Sequence, residues 1–151
     1  MKDMKQAQRL STGFSLFELL IACLILIILM ALAYPNYQKN IIKVRRLDAQ
    51  NALFNLANRL EHYYANVHSY ENASLGTGDA PDVISSNLSS QKWYRLEITS
   101  QTADEFSLSA VPINSQANDQ ECQTFTLNDE GNKGIAAGPC GQPRASAREC
   151  W

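Results

Sequence analysis

Residues 13–34 read GFSLFELLIACLILIILMALAY, and this stretch decides how the rest of the chain is to be understood. From Phe14 to Tyr34 run 21 residues in which Glu18 is the only charge. As an α-helix the stretch is about 31 Å long at ~1.5 Å per residue, close to the ~30 Å hydrocarbon thickness of a bilayer. A cleaved secretory signal has a shorter apolar core followed by a small-x-small site. Ala31 and Ala33 do precede Pro35, but the core before them is too long for that pattern. A plain signal anchor would explain the length and leave Glu18 and Gly13 without a purpose.

Glu18 is the informative residue. A carboxylate in hydrocarbon costs roughly 2.5–3.5 kcal/mol, so an acid inside a span points to function. It needs a cationic partner, and no Lys or Arg lies between Ser11 and Gln38. Cutting the chain after Gly13 would create a free amine at Phe14, four residues before Glu18. That amine can pair with Glu18 on the same helix or on a neighbour's. Gly13 suits the cut, because a glycine enters a protease cleft without a side-chain clash.

Working outward, Lys2, Lys5 and Arg9 against Asp3 give residues 1–13 a local charge of +2. On the other side, Pro35 removes a backbone donor and predicts a kink rather than an end to the helix. Beyond it Ala49, Ala52, Leu53, Leu56, Leu60, Tyr63, Tyr64 and Val67 make an apolar stripe at helical spacing. Arg45, Arg46, Asp48, Gln50, Asn55, Asn58, Arg59 and Glu61 take the other positions. The stripe lacks the repeated heptads of a free-standing coiled coil. A helix of about fifty residues is expected, half in lipid and half packed under a head.

Residues 68–91, rich in Ser, Asn, Gly and Asp and containing Pro81, read as a connecting loop. Three strands are expected at Trp93–Thr99, Glu105–Val111 and Cys122–Leu127, each with apolar residues on alternate positions. Gln101–Asp104 joins the first two, and Asn128–Gly134 turns the last strand back. The fold class is α+β: a long N-terminal helix packed on a small antiparallel sheet. The expected divisions are 1–13 as a leader, 14–35 as the membrane segment, 36–66 as an amphipathic helix and 67–151 as the head.

Residues 67–151 carry five basic and eleven acidic groups, a local charge of −6. Charge therefore gives no support to DNA as a partner of the head. Cys23, Cys122, Cys140 and Cys150 form no CxxC pair and have no histidines at zinc-finger spacing. Two of the distal three suit a disulfide, and hence an oxidising compartment. His62 and His68 have no partner nucleophile, and Asp129 and Glu130 beside Gly131 read as solvated turn residues rather than a calcium loop. Cys23 reads as a small buried hydrophobe, and Trp151 as packed on the head. No catalytic residue, metal site or cofactor is expected.

The segment GFSLFELLIACLILIILMALAYPNY, residues 13–37, closely resembles the signature of type IV prepilins. The resemblance implies cleavage after Gly13 by a prepilin peptidase on the cytoplasmic face and N-methylation of Phe14. It gives Glu18 and Pro35 the places of the family's assembly glutamate and helix-kinking proline. The chain departs from many members in having Ile27 where they carry a glycine that marks one end of an unwound stretch. RRLDAQNAL at 45–53 and CQTFTLNDEGNKG at 122–134 closing on a terminal Cys-Trp look like minor pilins of the PilE type. Such chains join the strand cysteine to the last cysteine, here Cys122 and Cys150; pairing of Cys122 with Cys140 is the competing arrangement. The implied partners are other pilin subunits, the peptidase, the inner-membrane assembly machinery and, before assembly, lipid. The implied location is the bacterial inner membrane with the head in the periplasm, then an extracellular pilus. A type II secretion pseudopilin and a signal-anchored periplasmic binding or enzymatic domain are the alternatives.

A bulky residue in place of Gly13 should leave the precursor uncut, because the side chain blocks the scissile position. Intact-mass analysis of the wild-type membrane fraction should find a chain starting at Phe14; a mutant processed normally would refute the cleavage reading.

Overall fold

The computed structural model describes residues 14–78 and 82–151; Gly13 with the expected leader, residues 1–13, and Pro81 lie outside the described residues. Helix α1 runs from Leu16 to Val67 and passes through Pro35. The chain divides into two compact units, one ending at Lys39 and the other spanning Asn40–Trp151.

In the first unit the helix is apolar around its whole circumference. Leu16 is 82% exposed, Ile27 67% and Tyr37 64%, and even the most sheltered of the large residues, Ile21, is 43% exposed. By length and composition this is a helix able to cross a membrane.

The second unit is built on the one-sided half of α1. Ala49, Leu53, Leu56 and Leu60 are at most 1% exposed. Each buried leucine contributes about 1.5–3 kcal/mol through area removed from water. They face an antiparallel sheet of β3 (Tyr94–Gln101), β4 (Phe106–Pro112), β5 (Thr124–Asn128) and β6 (Lys133–Ala136), in that order. Register sets the inward residues opposite one another: Leu96 against Ala110, Ala110 against Phe125, Leu108 against Leu127. These residues and the helix leucines form a single core. Alternation along a strand thus becomes one apolar sheet face, which the stripe of α1 covers.

Several details differ from expectation. Inside the expected Asn128–Gly134 turn a fourth strand, β6, begins at Lys133; its short Lys133–Ala136 run has too little alternation to announce itself. Inside the expected loop, β1 (Ser74–Leu75) and β2 (Asp82–Ile84) pair in parallel. Their organiser is the Asp82 carboxylate, which accepts from the Ser74 and Thr77 hydroxyls at 2.8 and 2.9 Å and from the Gly78 N–H at 2.7 Å. Gly76 sits at φ +61°, and a Cβ there would stand 2.8 Å from the Asn87 nitrogen, so the tight return requires glycine. Val67, expected on the stripe, is 50% exposed, because α1 ends there and the chain leaves through His68 at φ 58°. After β4 a 3₁₀ turn, Asn114–Asn118, leads toward β5. Near the terminus α2 (Ala147–Cys150) is started by Ser146, whose N–H and hydroxyl both donate to Glu149 Oε2 at 2.8 Å.

Cys122 and Cys150 are bonded, 28 residues apart in sequence, and Cys140 is a free exposed thiol. Non-reducing peptide mapping of matured protein should recover the Cys122–Cys150 peptide. Cys150→Ser should lower stability by roughly 3–4 kcal/mol, the cost of releasing a loop of this length, read as the shift in denaturant midpoint. Recovery of a Cys122–Cys140 peptide would overturn the pairing.

Candidate assembly site

The first unit presents Phe14 and Glu18 at the start of α1. Glu18 falls in the first helical turn, where main-chain N–H groups lack partners and the helix dipole favours a negative charge. The fifth main-chain N–H from Phe14, that of Leu19, closes the turn on the Ser15 carbonyl at 3.1 Å. Phe14 is 73% exposed. Around Pro35 the Gln38 amide donates to the Tyr34 hydroxyl at 2.8 Å, tying the turn that the proline deprives of a donor. Cys23, read from sequence as buried, is exposed within this apolar stretch.

In the second unit, the segment Arg45–Gln50 of α1 locks the head. Arg46 is 8% exposed and grips Asp119 as a fork, Nε to Oδ2 at 2.7 Å and Nη2 to Oδ1 at 2.8 Å. The same Nη2 donates to Glu121 Oε2 at 2.8 Å on the rim. Burial works against the guanidinium's charge, but the bonds and charges of Asp119 and Glu121 outweigh it and hold its pKa above the ordinary value. Asp48, 7% exposed, makes no ion pair among the described residues; it accepts from the Ser89 hydroxyl at 2.5 Å and the Ser90 hydroxyl at 2.9 Å. Arg45 lies 3.5 Å from the Trp93 ring centroid and donates to the Ser115 hydroxyl at 2.8 Å. Gln50 donates to the Cys150 carbonyl at 2.9 Å and so joins α1 to the disulfide.

Sequence reading set Arg46 and Asp48 among the positions off the stripe, and there it was wrong. Arg46, Ala49, Leu53, Leu56 and Leu60 follow steps of three, four, three and four, so Arg46 is the stripe's first member. Its long stem and fork let a charged residue occupy a core position when a carboxylate waits there. The partner, Asp119, has no sequence signal of its own, since 73 residues separate the two.

The remaining expected features fall as follows. Trp151 packs edge-on to Phe54 and Phe125 and donates its indole N–H to the Gly134 carbonyl at 2.8 Å. His62 and His68 are exposed, and Asp129 and Glu130 occupy the turn closed by Gly131 at φ +79°. Among the described residues no three His, Cys, Asp or Glu side chains gather in a way that could hold a metal. At the far end of α1 Tyr70 is buried against Tyr64 and Phe106, and burial first, then the Glu61 carboxylate, pushes its phenol up to about 12.

Comparison with known proteins gives three findings. A family model described as "Type IV minor pilin ComP, DNA uptake sequence receptor" matches residues 35–126. A model of the prokaryotic N-terminal methylation motif matches residues 8–34. The crystal structure of the Neisseria meningitidis non-core minor pilin PilV shares the fold: TM-score 0.50 and 23% identity over 71% of this chain and 98% of that one. No curated protein matches the chain.

Arg46→Ala should destabilise the second unit by about 3–5 kcal/mol, because it leaves Asp119 buried without its cation. Arg46→Lys should recover only part of the loss, since an ammonium cannot reproduce the fork. Denaturant unfolding of the three proteins measures both; equal stability of wild type and Arg46→Ala would show that the lock carries no weight.

Proposed function

We propose a working role from a family premise: the chain belongs to the family described as type IV minor pilin ComP, DNA uptake sequence receptor. It is a structural subunit of a type IV pilus, anchored in a membrane by its apolar N-terminal helix and then assembled through it. The observation that carries this role is the apolar arm. Residues 14–34 are exposed on every side, so their burial has to come from lipid or from other helices.

The finer reading has four parts. Prepilin peptidase cuts after Gly13 and the new amine of Phe14 is methylated; a match to the methylation motif over residues 8–34 supports this. Before assembly the chain sits in the bacterial inner membrane with its head in the periplasm, an oxidising compartment that suits the Cys122–Cys150 bond. The assembly machinery then extracts it into a filament among other pilins. There the Phe14 amine of one subunit meets Glu18 of another, which satisfies two charges in an apolar core and fixes the axial register. A type II secretion pseudopilin would use the same N-terminal logic, and membership of the minor pilin family favours the pilus.

The family's description as a DNA uptake sequence receptor favours DNA as the ligand of this subunit. With residues 67–151 at a net −6, contact has to be local rather than a broad basic face. Lys92, Arg95, Lys133, Arg144 and Arg148 are the basic groups available in that region.

Glu18→Leu should leave membrane insertion equal or better, since it removes a costly charge, yet lower the ratio of filament-bound to membrane-bound subunit. Glu18→Gln should fare little better, because it keeps the shape and loses the charge. Sheared-filament fractionation gives the ratio. A wild-type ratio for Glu18→Leu would sink charge pairing and leave apolar packing to set the register.

A further inference from the structure

Assembly uses the arm, the lock holds the head, and a groove along α1 is left without a task. Two open cavities of about 350 and 460 Å³ lie on the outer side of the helix and share Asn55 and Arg59. The first is roofed by Ser85, Ser86 and Leu88, and the second continues to Asn66 and Val83. From Asn51 to Asn66 the helix advances about 22 Å at ~1.5 Å per residue, so the groove suits an elongated ligand.

Its chemistry is narrow. Asn51, Asn55, Asn58, His62 and Asn66 recur at steps of four, three, four and four, all exposed and on one face. Carboxamides donate and accept at once, as do the serine hydroxyls opposite, which matches a ligand whose groups do the same. Leu88 and the Tyr63 ring, both half-buried, offer apolar contact to the C–H surfaces of such a ligand. Arg59 stands where the cavities meet. Its Nε donates to Asn55 Oδ1 at 2.9 Å, and among the described residues the guanidinium makes no ion pair. The rest of the fork is therefore open to a carboxylate, the partner it fits in two-point geometry. A single cation is too little for a polyanion, whose binding rests on many neutralised charges. Polar groups that donate and accept along about 22 Å, with one carboxylate near the middle, describe a short acidic oligosaccharide.

We propose that the groove between Asn51 and Asn66 binds an acidic oligosaccharide, with a sugar carboxylate seated on Arg59. The occupant is a polyhydroxylated chain rather than a neighbouring pilin or a nucleic acid.

The test uses the full mature chain in detergent micelles and two probes of equal length. One is a hyaluronan tetrasaccharide, which carries glucuronate carboxylates, and the other is uncharged chitotetraose. Saturation-transfer NMR should show contact with the acidic probe, and calorimetry should find it bound at least tenfold tighter than the neutral one. Arg59→Ala should weaken binding tenfold or more, Arg59→Lys less than that, and Asn55→Ala several-fold. Both side chains are exposed, and circular dichroism checks that the variants fold. Three results would overturn the proposal: no transfer to either saccharide, equal affinity for the two probes, or binding that ignores Arg59. So would Arg59→Ala chains that fail to enter filaments while wild type binds no sugar, since the groove would then seat another subunit. Arg59-dependent binding of a DNA duplex without saccharide binding would likewise assign it to nucleic acid.

Discussion

Along α1 the surroundings demanded by the side chains change near Pro35, and the rest of the protein answers that change. Before it, exposed apolar residues surround the helix; from Ala49 on, Ala49, Leu53, Leu56 and Leu60 form a buried stripe along one face. A helix apolar all round has to be buried all round, and the second unit spends its own apolar face on its sheet. The apolar surface of residues 14–34 is thus left exposed for lipid or other helices to cover. Glu18 qualifies it: one charge among 21 residues costs roughly 2.5–3.5 kcal/mol in hydrocarbon, far less than the apolar residues around it return. In lipid that cost is outweighed by the apolar residues beside it, and an amine brought against Glu18 in an apolar assembly would satisfy the charge.

Within the second unit, the leucine stripe supplies most of the cohesion, but leucines on a sheet tolerate rotation and sliding. The Arg46–Asp119 fork does not. A one-residue slip of α1 turns a side chain by about 100° at 3.6 residues per turn, which would carry the guanidinium out of reach of its carboxylate. Breaking the pair leaves a buried charge, so wrong registers are penalised more than the right one is rewarded. Asp48, held by the Ser89 and Ser90 hydroxyls, acts on the segment before β3 in the same way. Positional definition thus comes from polar residues inside an apolar seam, at positions 46 and 48, close to the end of the unit that begins at Asn40.

Much of this was legible in the residues, and the failures have physical causes. The three strands with clear alternation were found, because period two along Tyr94–Ile98 or Phe106–Ala110 has no other reading. β6 escaped because four residues with a glycine among them carry no period. β1 and β2 depend on Asp82 gathering donors from a loop, a local geometry that composition hides. The sequence Ser146-Ala-Arg-Glu149 is a capping box and could have announced α2. Arg46 was missed because charge was taken as a sign of the solvated face, although its spacing from Ala49 placed it on the buried one. Asp119 and Ser89 were beyond sequence reasoning altogether: their roles exist only once the sheet brings residues dozens of positions apart together.

The C-terminus fastens the head to α1. A filament subunit pulled through α1 resists by its barrier to unfolding more than by its equilibrium stability. Contacts spread along the helix share such a load, and here they are spread. Arg46 and Asp48 hold one stretch, Gln50 binds the Cys150 carbonyl, Phe54 meets Trp151, and Leu53 to Leu60 fill the core. Cys150 and Trp151 therefore touch α1 at Gln50 and Phe54, and the disulfide ties them to Cys122 just before β5. Trp151 stands between Phe54 of the helix and Phe125 of the sheet, and the disulfide holds the terminal segment there. Cys150 thus acts on a helix its sulfur never bonds, by keeping Trp151 and its own carbonyl where Phe54 and Gln50 need them.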